Sequence, residues 1–160
     1  MAIQDMIFGS NIDAIAVSIA MLILRVFVGA LFIVHGAPKL YGPARKQMRD
    51  SMKQLGIPGP LFDLVGVLEF LGGIALIIGF LTRIASSLLA LEMVGTTILN
   101  ITKLYYAPIP RGYTESMFKA TRGYMFGWEL DSVLLASGLA IAIIGPGTIS
   151  IDNLVLTKLR

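Results

Sequence analysis

LFDLVGVLEFLGGIALIIGFLTRIASSLLALEMVGTTILNI, residues 61–101, decides the fold. It reads as two apolar runs, 61–81 and 84–101, broken only by Thr82 and Arg83, each with one glutamate near its middle. An apolar run of roughly 20 residues spans the hydrocarbon core of a bilayer as a helix. So short a break makes the two spans a tight antiparallel hairpin. Working outward, residues 14–35 form a third such run, interrupted only by Arg25. A fourth ends at Ile144 before Gly145-Pro146-Gly147, a sequence that cannot continue a helix, and is taken to start near Tyr124. The expected architecture is all-α: a polytopic, antiparallel bundle of four transmembrane helices in a single domain over residues 1–160.

Composition agrees. Of 160 residues, 56% are hydrophobic and 14% charged, against about 25% charged in a soluble domain, and the mean hydropathy is +0.80. The sequence pI of about 9.3 would suggest nucleic acid in a soluble protein. Here the basic residues flank apolar runs, where bilayer orientation and anionic lipid account for them, so no nucleic-acid partner is expected. The segment 1–13 lacks Lys and Arg, and the run after it is too long for a signal h-region, so it is expected to remain as the first span.

There is no cysteine and one histidine. Thiol redox pairs, thiolate zinc and all-cysteine iron–sulfur clusters cannot be built from this chain. Bis-histidine haem is excluded, and the eight methionines read as packing rather than haem ligands. No metal site is expected. Any redox chemistry needs a bound organic cofactor or a partner subunit.

Loop charge sets the expected orientation. The segments 36–60 and 102–123 carry nine basic residues: Lys39, Arg45, Lys46, Arg49, Lys53, Lys103, Arg111, Lys119 and Arg122. The other side carries three: Arg83, Lys158 and Arg160. The positive-inside rule places both loops in the cytoplasm and both termini outside a multi-pass protein of the cell membrane. Within the first loop, residues 44–55 form an amphipathic interfacial helix, with Met48, Met52 and Leu55 on one face and Arg45, Arg49 and Lys53 on another. It lies along the headgroups or serves as a docking site. Tyr105, Tyr106, Tyr113, Pro108 and Pro110 suggest an ordered loop capping the cytoplasmic mouth.

Arg25, Glu69 and Glu92 each fall near the middle of a span. A charge at the bilayer centre costs about 2.5–3.5 kcal/mol on insertion scales, so the three are expected to meet in a buried cluster. One carboxylate would pair with Arg25, and the other would hold a proton. Gly66, Gly73 and Gly29 form small-residue strips where helices can approach closely. Thr96, Asn100 and Lys103 continue from Glu92 at helical spacing, a polar track to one surface. His35 and Lys39 share a helix face at the end of the first span, with Pro38 between them. Trp128 and Tyr124 fit an interfacial aromatic belt. Such a protonatable carboxyl suits proton delivery to a bound quinone, whereas an Arg–Glu pair that only fixes helix register suits an anchor.

Three stretches together resemble the DoxX/DoxD family: LRVFVGALFIVHGAPKL (24–40), LGIPGPLFDLVGVLEFLGGIALIIGFLTRIASSLLALEM (55–93) and GPGTISID (145–152). The resemblance implies a small four-helix membrane subunit of a redox assembly. DoxD-like members are subunits of a thiosulfate:quinone oxidoreductase. By position, the family-like polar residues are Arg25, His35, Lys39, Glu69, Arg83, Glu92, Glu129 and Asp152. The expected function is therefore a membrane subunit of a quinone-linked oxidoreductase of the respiratory chain. Glu69, Glu92 and Arg25 are its candidate catalytic residues, and His35, Lys39, Glu129 and Asn100 its quinone contacts. Quinone is the expected bound substrate, and the bilayer and an oligomer with a partner redox subunit are the expected surroundings. The alternative is a non-catalytic anchor or assembly subunit. A small-solute carrier is a third reading, weakened by the lack of broken-helix repeats.

Overall fold

A computed structural model describes residues 13–103 and 128–159. They form six helices: α1 (Ala14–Leu40), α2 (Arg45–Gln54), α3 (Gly59–Ile78), α4 (Thr82–Thr102), α5 (Trp128–Ile144) and α6 (Ile151–Lys158). The fold is an all-α helical membrane protein, with α1, α3 and α4 each long and apolar enough to cross a bilayer. The expected fourth span is α5, 17 residues long among those described. Its expected start near Tyr124 and the aromatic loop with Tyr105, Tyr106 and Tyr113 lie outside the described residues. Large apolar side chains such as Phe27, Leu64, Leu91 and Ile143 face outward, as lipid-facing surfaces require. Met21, Phe32, Leu76, Leu89, Met93, Leu134 and Ile141 fill the interior.

Several boundaries differ from the sequence expectation, each for a local reason. Helix α1 runs past His35 and through Pro38 to Leu40. Proline removes one backbone N–H, yet the ladder resumes at once, with the Tyr41 amide donating to the Ala37 carbonyl at 3.1 Å. The α3–α4 link is Gly79, Phe80 and Leu81, not Thr82 and Arg83, which lie inside α4. Gly79 takes φ +70°, the left-handed C-cap that glycine reaches without steric cost. The interfacial helix spans Arg45–Gln54 and buries no residue of its own.

The closest helix pairs are α1 with α3 and α4 with α5, rather than the α3–α4 hairpin. Glycines make the first pair possible. A Cβ added at Gly29 would stand 2.5 Å from the Gly73 carbonyl oxygen, and one at Gly36 would stand 2.6 Å from the Phe70 amide nitrogen. These contacts set the stagger: Gly29 lies beside Gly73, and Gly36 beside Gly66, Glu69 and Phe70. The first third of α1 therefore projects beyond the C-terminus of α3. The turn 145–150 covers it, with the Thr148 amide donating to Ser18 Oγ at 3.2 Å.

At this end of the bundle, charged side chains close helix termini with the sign that the helix dipole favours. The Asp152 carboxylate accepts the Leu81 and Thr82 amides at 2.8 and 2.9 Å, capping the N-terminus of α4. Arg83 donates to the Ala142 and Ile143 carbonyls at 2.7 and 2.9 Å, closing the C-terminus of α5.

Candidate functional site

Arg25 belongs to this capped end. It is fully buried, and its guanidinium donates to the Leu76 carbonyl at 3.4 Å and the Ile149 carbonyl at 2.5 Å. It pairs with neither glutamate, contrary to the expected single cluster. The reason is the stagger. Gly36, which faces Glu69, is eleven residues after Arg25, about 16 Å along the helix at 1.5 Å per residue. Mid-helix positions coincide in depth only when helix ends are level, and α1 and α3 are offset.

At the other end, α1, α2, α3, α4 and α5 enclose a cavity of about 650 Å³. Phe62, Val65, Leu61, Met48 and Met52 form much of its wall, and the polar side chains His35, Lys39, Glu69, Glu92, Thr96, Asn100, Lys103 and Asp131 also line it. The Gly36–Gly66 crossing presses α1 onto α3 and brings Lys39 Nζ to 2.5 Å from Glu69 Oε2. Lysine thus takes the partner role expected of Arg25. Glu69 is 3% exposed, and its charge is compensated where it stands.

Glu92 differs. It shares the cavity with Glu69, Lys39 and Asp131, yet neither of its carboxyl oxygens has a hydrogen-bond donor among the described residues. Two facing carboxylates offer each other no donor until one carries a proton, which is the chemistry such a pair can perform. Further along α4, Asn100 Nδ2 donates to Asp131 Oδ2 on α5 at 2.6 Å.

Of the sequence-derived candidates, Glu69, Glu92, His35, Lys39 and Asn100 come together around the cavity. Arg25 and Glu129 do not line it. Glu129 sits two residues from Asp131, about 200° around the helix, and Asp131 takes the place expected of it. A signal for this was present: Asp131, Leu134, Gly138 and Ile141 recur at helical spacing, and Gly138 packs against Ala90 of α4. Counting back seven residues from Gly138 selects Asp131.

Helix α2 closes the cavity from the side. Arg45 Nη2 and Arg49 Nη2 reach the two oxygens of Asp63 in α3 at 2.7 and 3.2 Å. Arg45 Nε also donates to the Lys39 carbonyl at 3.0 Å. The arginines expected to face headgroups thus hold α2 across the mouth, with Met48 and Met52 turned inward. At the far end of α2, Lys103 Nζ donates to the Leu55 carbonyl.

Comparison with known proteins agrees with this architecture. The DoxX family model matches residues 20–103. The inner membrane protein YqjF of Escherichia coli (strain K12) is 34% identical over 141 residues, covering 88% of this chain and 95% of that protein. "Putative oxidoreductase CatD" of Bacillus subtilis (strain 168) is 28% identical over 140 residues, covering 86% of this chain and 87% of that protein. The inner membrane protein YphA, also of Escherichia coli (strain K12), is 27% identical over 137 residues, covering 84% and 89%. No solved structure matches. The chain belongs to the DoxX family.

Proposed function

We propose that this DoxX-family protein is a membrane subunit of a quinone-linked oxidoreductase, with Glu92 exchanging a proton at a quinone held in the cavity. The observation that carries this reading is the cavity itself: apolar walls, the compensated Lys39–Glu69 pair and the donorless carboxyl of Glu92 in one space. The residues fit a quinone. Lys39, His35 and Asn100 are donors suited to carbonyl oxygens, and Met48, Met52, Phe62 and Val65 suit a flat ring and an apolar tail. A quinone accepts two electrons and two protons on reduction. This chain's part is to orient the ring, exclude water and hold the proton at a Glu92 oxygen.

The electrons would come from a partner redox subunit, since a chain without cysteine offers no thiol chemistry of its own. The printed name of the Bacillus subtilis relative supports the oxidoreductase class. Thiosulfate as the electron donor follows the DoxD resemblance. The nine-to-three basic bias supports an orientation with the cavity end towards the cytoplasm and the termini outside, in the cell membrane.

The test is solvent extraction of gently purified protein, with ultraviolet and mass detection of quinone. About one quinone per chain is expected, retained in Glu92→Gln while proton-coupled turnover is lost. Protein that carries no quinone and takes up none when it is added would overturn the reading. A second reading, an anchor subunit, is favoured by one observation: the Lys39–Glu69 pair sits at the α1–α3 crossing, where it fixes helix register. On that reading Glu69→Gln lowers the yield of assembled complex, and the cavity takes up no quinone.

A further inference from the structure

We infer that the cavity takes a lipid-borne ligand, its head among Lys39, Glu69 and Glu92 and its hydrocarbon tail leaving sideways through a window between α3 and α4. The inference deepens the quinone reading, which supplies the head. The window and its tail stand on separate observations.

The window follows from where α3 and α4 touch and where they part. Leu61, Val65 and Gly72 share one face of α3, at intervals of four and seven residues. At Gly72 that face meets α4, and an added Cβ would stand 3.1 Å from Leu89 Cδ1. Eleven residues earlier, about 16 Å along the helix, the same face borders open space. Leu61 and Val65 line the cavity there, and Leu61 is 48% exposed. On α4, Gly95 lies five residues after Ala90, which meets Gly138 of α5, and so about 140° around the helix from that contact. A Cβ at Gly95 would meet nothing within 4 Å among the described residues. Gly95 nonetheless lines the cavity, as does Ile98, which is 56% exposed. Residues that both line a cavity and stand exposed mark its edge.

The gap is bounded at both ends. The Gly72–Leu89 contact closes it towards the α3–α4 turn, and Lys103 Nζ, donating to the Leu55 carbonyl, ties the other end. Leu89 to Lys103 is fourteen residues, about 21 Å of helix. Leu61, Gly95 and Ile98 frame the gap without a polar side chain, and Leu64, Leu91 and Val94 beside them are exposed. Such a surface meets acyl chains rather than water. The other exposed lining of the cavity, His35, Leu130, Thr102 and Lys103, is mostly polar and suits water. A ligand with a polar head and a hydrocarbon tail therefore fits in one sense, with its tail between α3 and α4.

The experiment uses the full chain in detergent micelles and two benzoquinones that differ only in a decyl tail, with binding read by calorimetry. Gly95→Leu fills the window and should weaken binding of the decyl probe about tenfold, the effect of a modest overpacking cost. The tailless probe should bind as it does to the wild type. Leu61→Trp, at a half-exposed position on the opposite rim, should act alike, and keeps the test decisive if Gly95→Leu fails to fold. Ala136→Leu, at an exposed position of α5 that does not line the cavity, should match the wild type for both probes. Equal loss for both probes, or no loss for the decyl probe, would overturn the window with quinone binding intact. A wild type that binds neither probe would reject the quinone head, and co-extracted lipid then decides. A tailed lipid retained by the wild type and absent from Gly95→Leu would uphold the window, and its presence in both or in neither would overturn it.

Discussion

Three charges carried within the apolar runs, each on its own helix, have different fates. Arg25 has carbonyl partners on α3 and on the 145–150 turn, and its chemistry is that of a cap. Replacing it with methionine should leave the Ile149 carbonyl without its arginine donor and cost about 1–3 kcal/mol, while the Leu76 carbonyl keeps the Gly79 amide at 3.2 Å. The thermal midpoint in detergent should fall, while quinone content per folded chain stays at the wild-type level. Glu69 is held by Lys39, so Glu69→Gln should behave as a broken buried pair, losing up to about 3–5 kcal/mol in detergent unfolding. Lys39 keeps some exposure, with 17% of its side chain accessible, and can turn partly outward, which makes that figure an upper bound. Glu92 has no donor to lose. Glu92→Gln should therefore be close to neutral in stability and severe in proton-coupled turnover, a split that a shared structural role would not produce. The identity of these three residues was legible in the sequence, because charges in apolar runs stand out. Their partners were not: Arg25 meets Ile149 across 124 positions of chain, beyond the reach of any local pattern.

Among the helices, glycine decides the packing where the backbones of α1 and α3 cross. Gly29→Ile must push against the Gly73 carbonyl and Ile77, and should cost about 1–3 kcal/mol as overpacking does. It should also shift Lys39 relative to Glu69. Gly95, by contrast, has open space where a Cβ would stand, so Gly95→Ala should leave the unfolding midpoint near the wild type. Helix α2 is held at its edge by polar contacts. Asp63→Asn loosens Arg45 and Arg49, and the pair energies should be small, about 1 kcal/mol or less for groups this exposed. Its consequence should appear in kinetics: faster tryptic cleavage within α2 in membranes, with little change in the unfolding midpoint. Equal cleavage rates in wild type and variant would show that Asp63 does not hold the helix. At this scale, the amphipathic pattern of α2 was plain in the sequence, with Met48 and Met52 on one face. That this face lines a cavity, and that Asp63 binds the arginines, depends on where α3 begins in space.

In the whole molecule, one end is closed by reciprocal caps and the other holds the cavity. Asp152→Ala should uncap α4 and cost about 1–2 kcal/mol, read as a lower unfolding midpoint with ligand stoichiometry unchanged, because the site lies at the far end. The sequence by itself determined that the chain is a helical membrane protein. It also determined where its apolar runs lie and which few polar side chains they carry, since a bilayer admits backbone only as satisfied helices and makes each charge within them conspicuous. It marked the glycines at which helices could touch. Only the tertiary structure decided the stagger of those helices, which divides Arg25 from the glutamates, gives Lys39 to Glu69 and turns Asp131 rather than Glu129 towards the cavity. Helical periodicity fixes the direction of a side chain about its own axis. Relative height along the bundle comes from contacts between glycines, carbonyls and caps far apart in the chain.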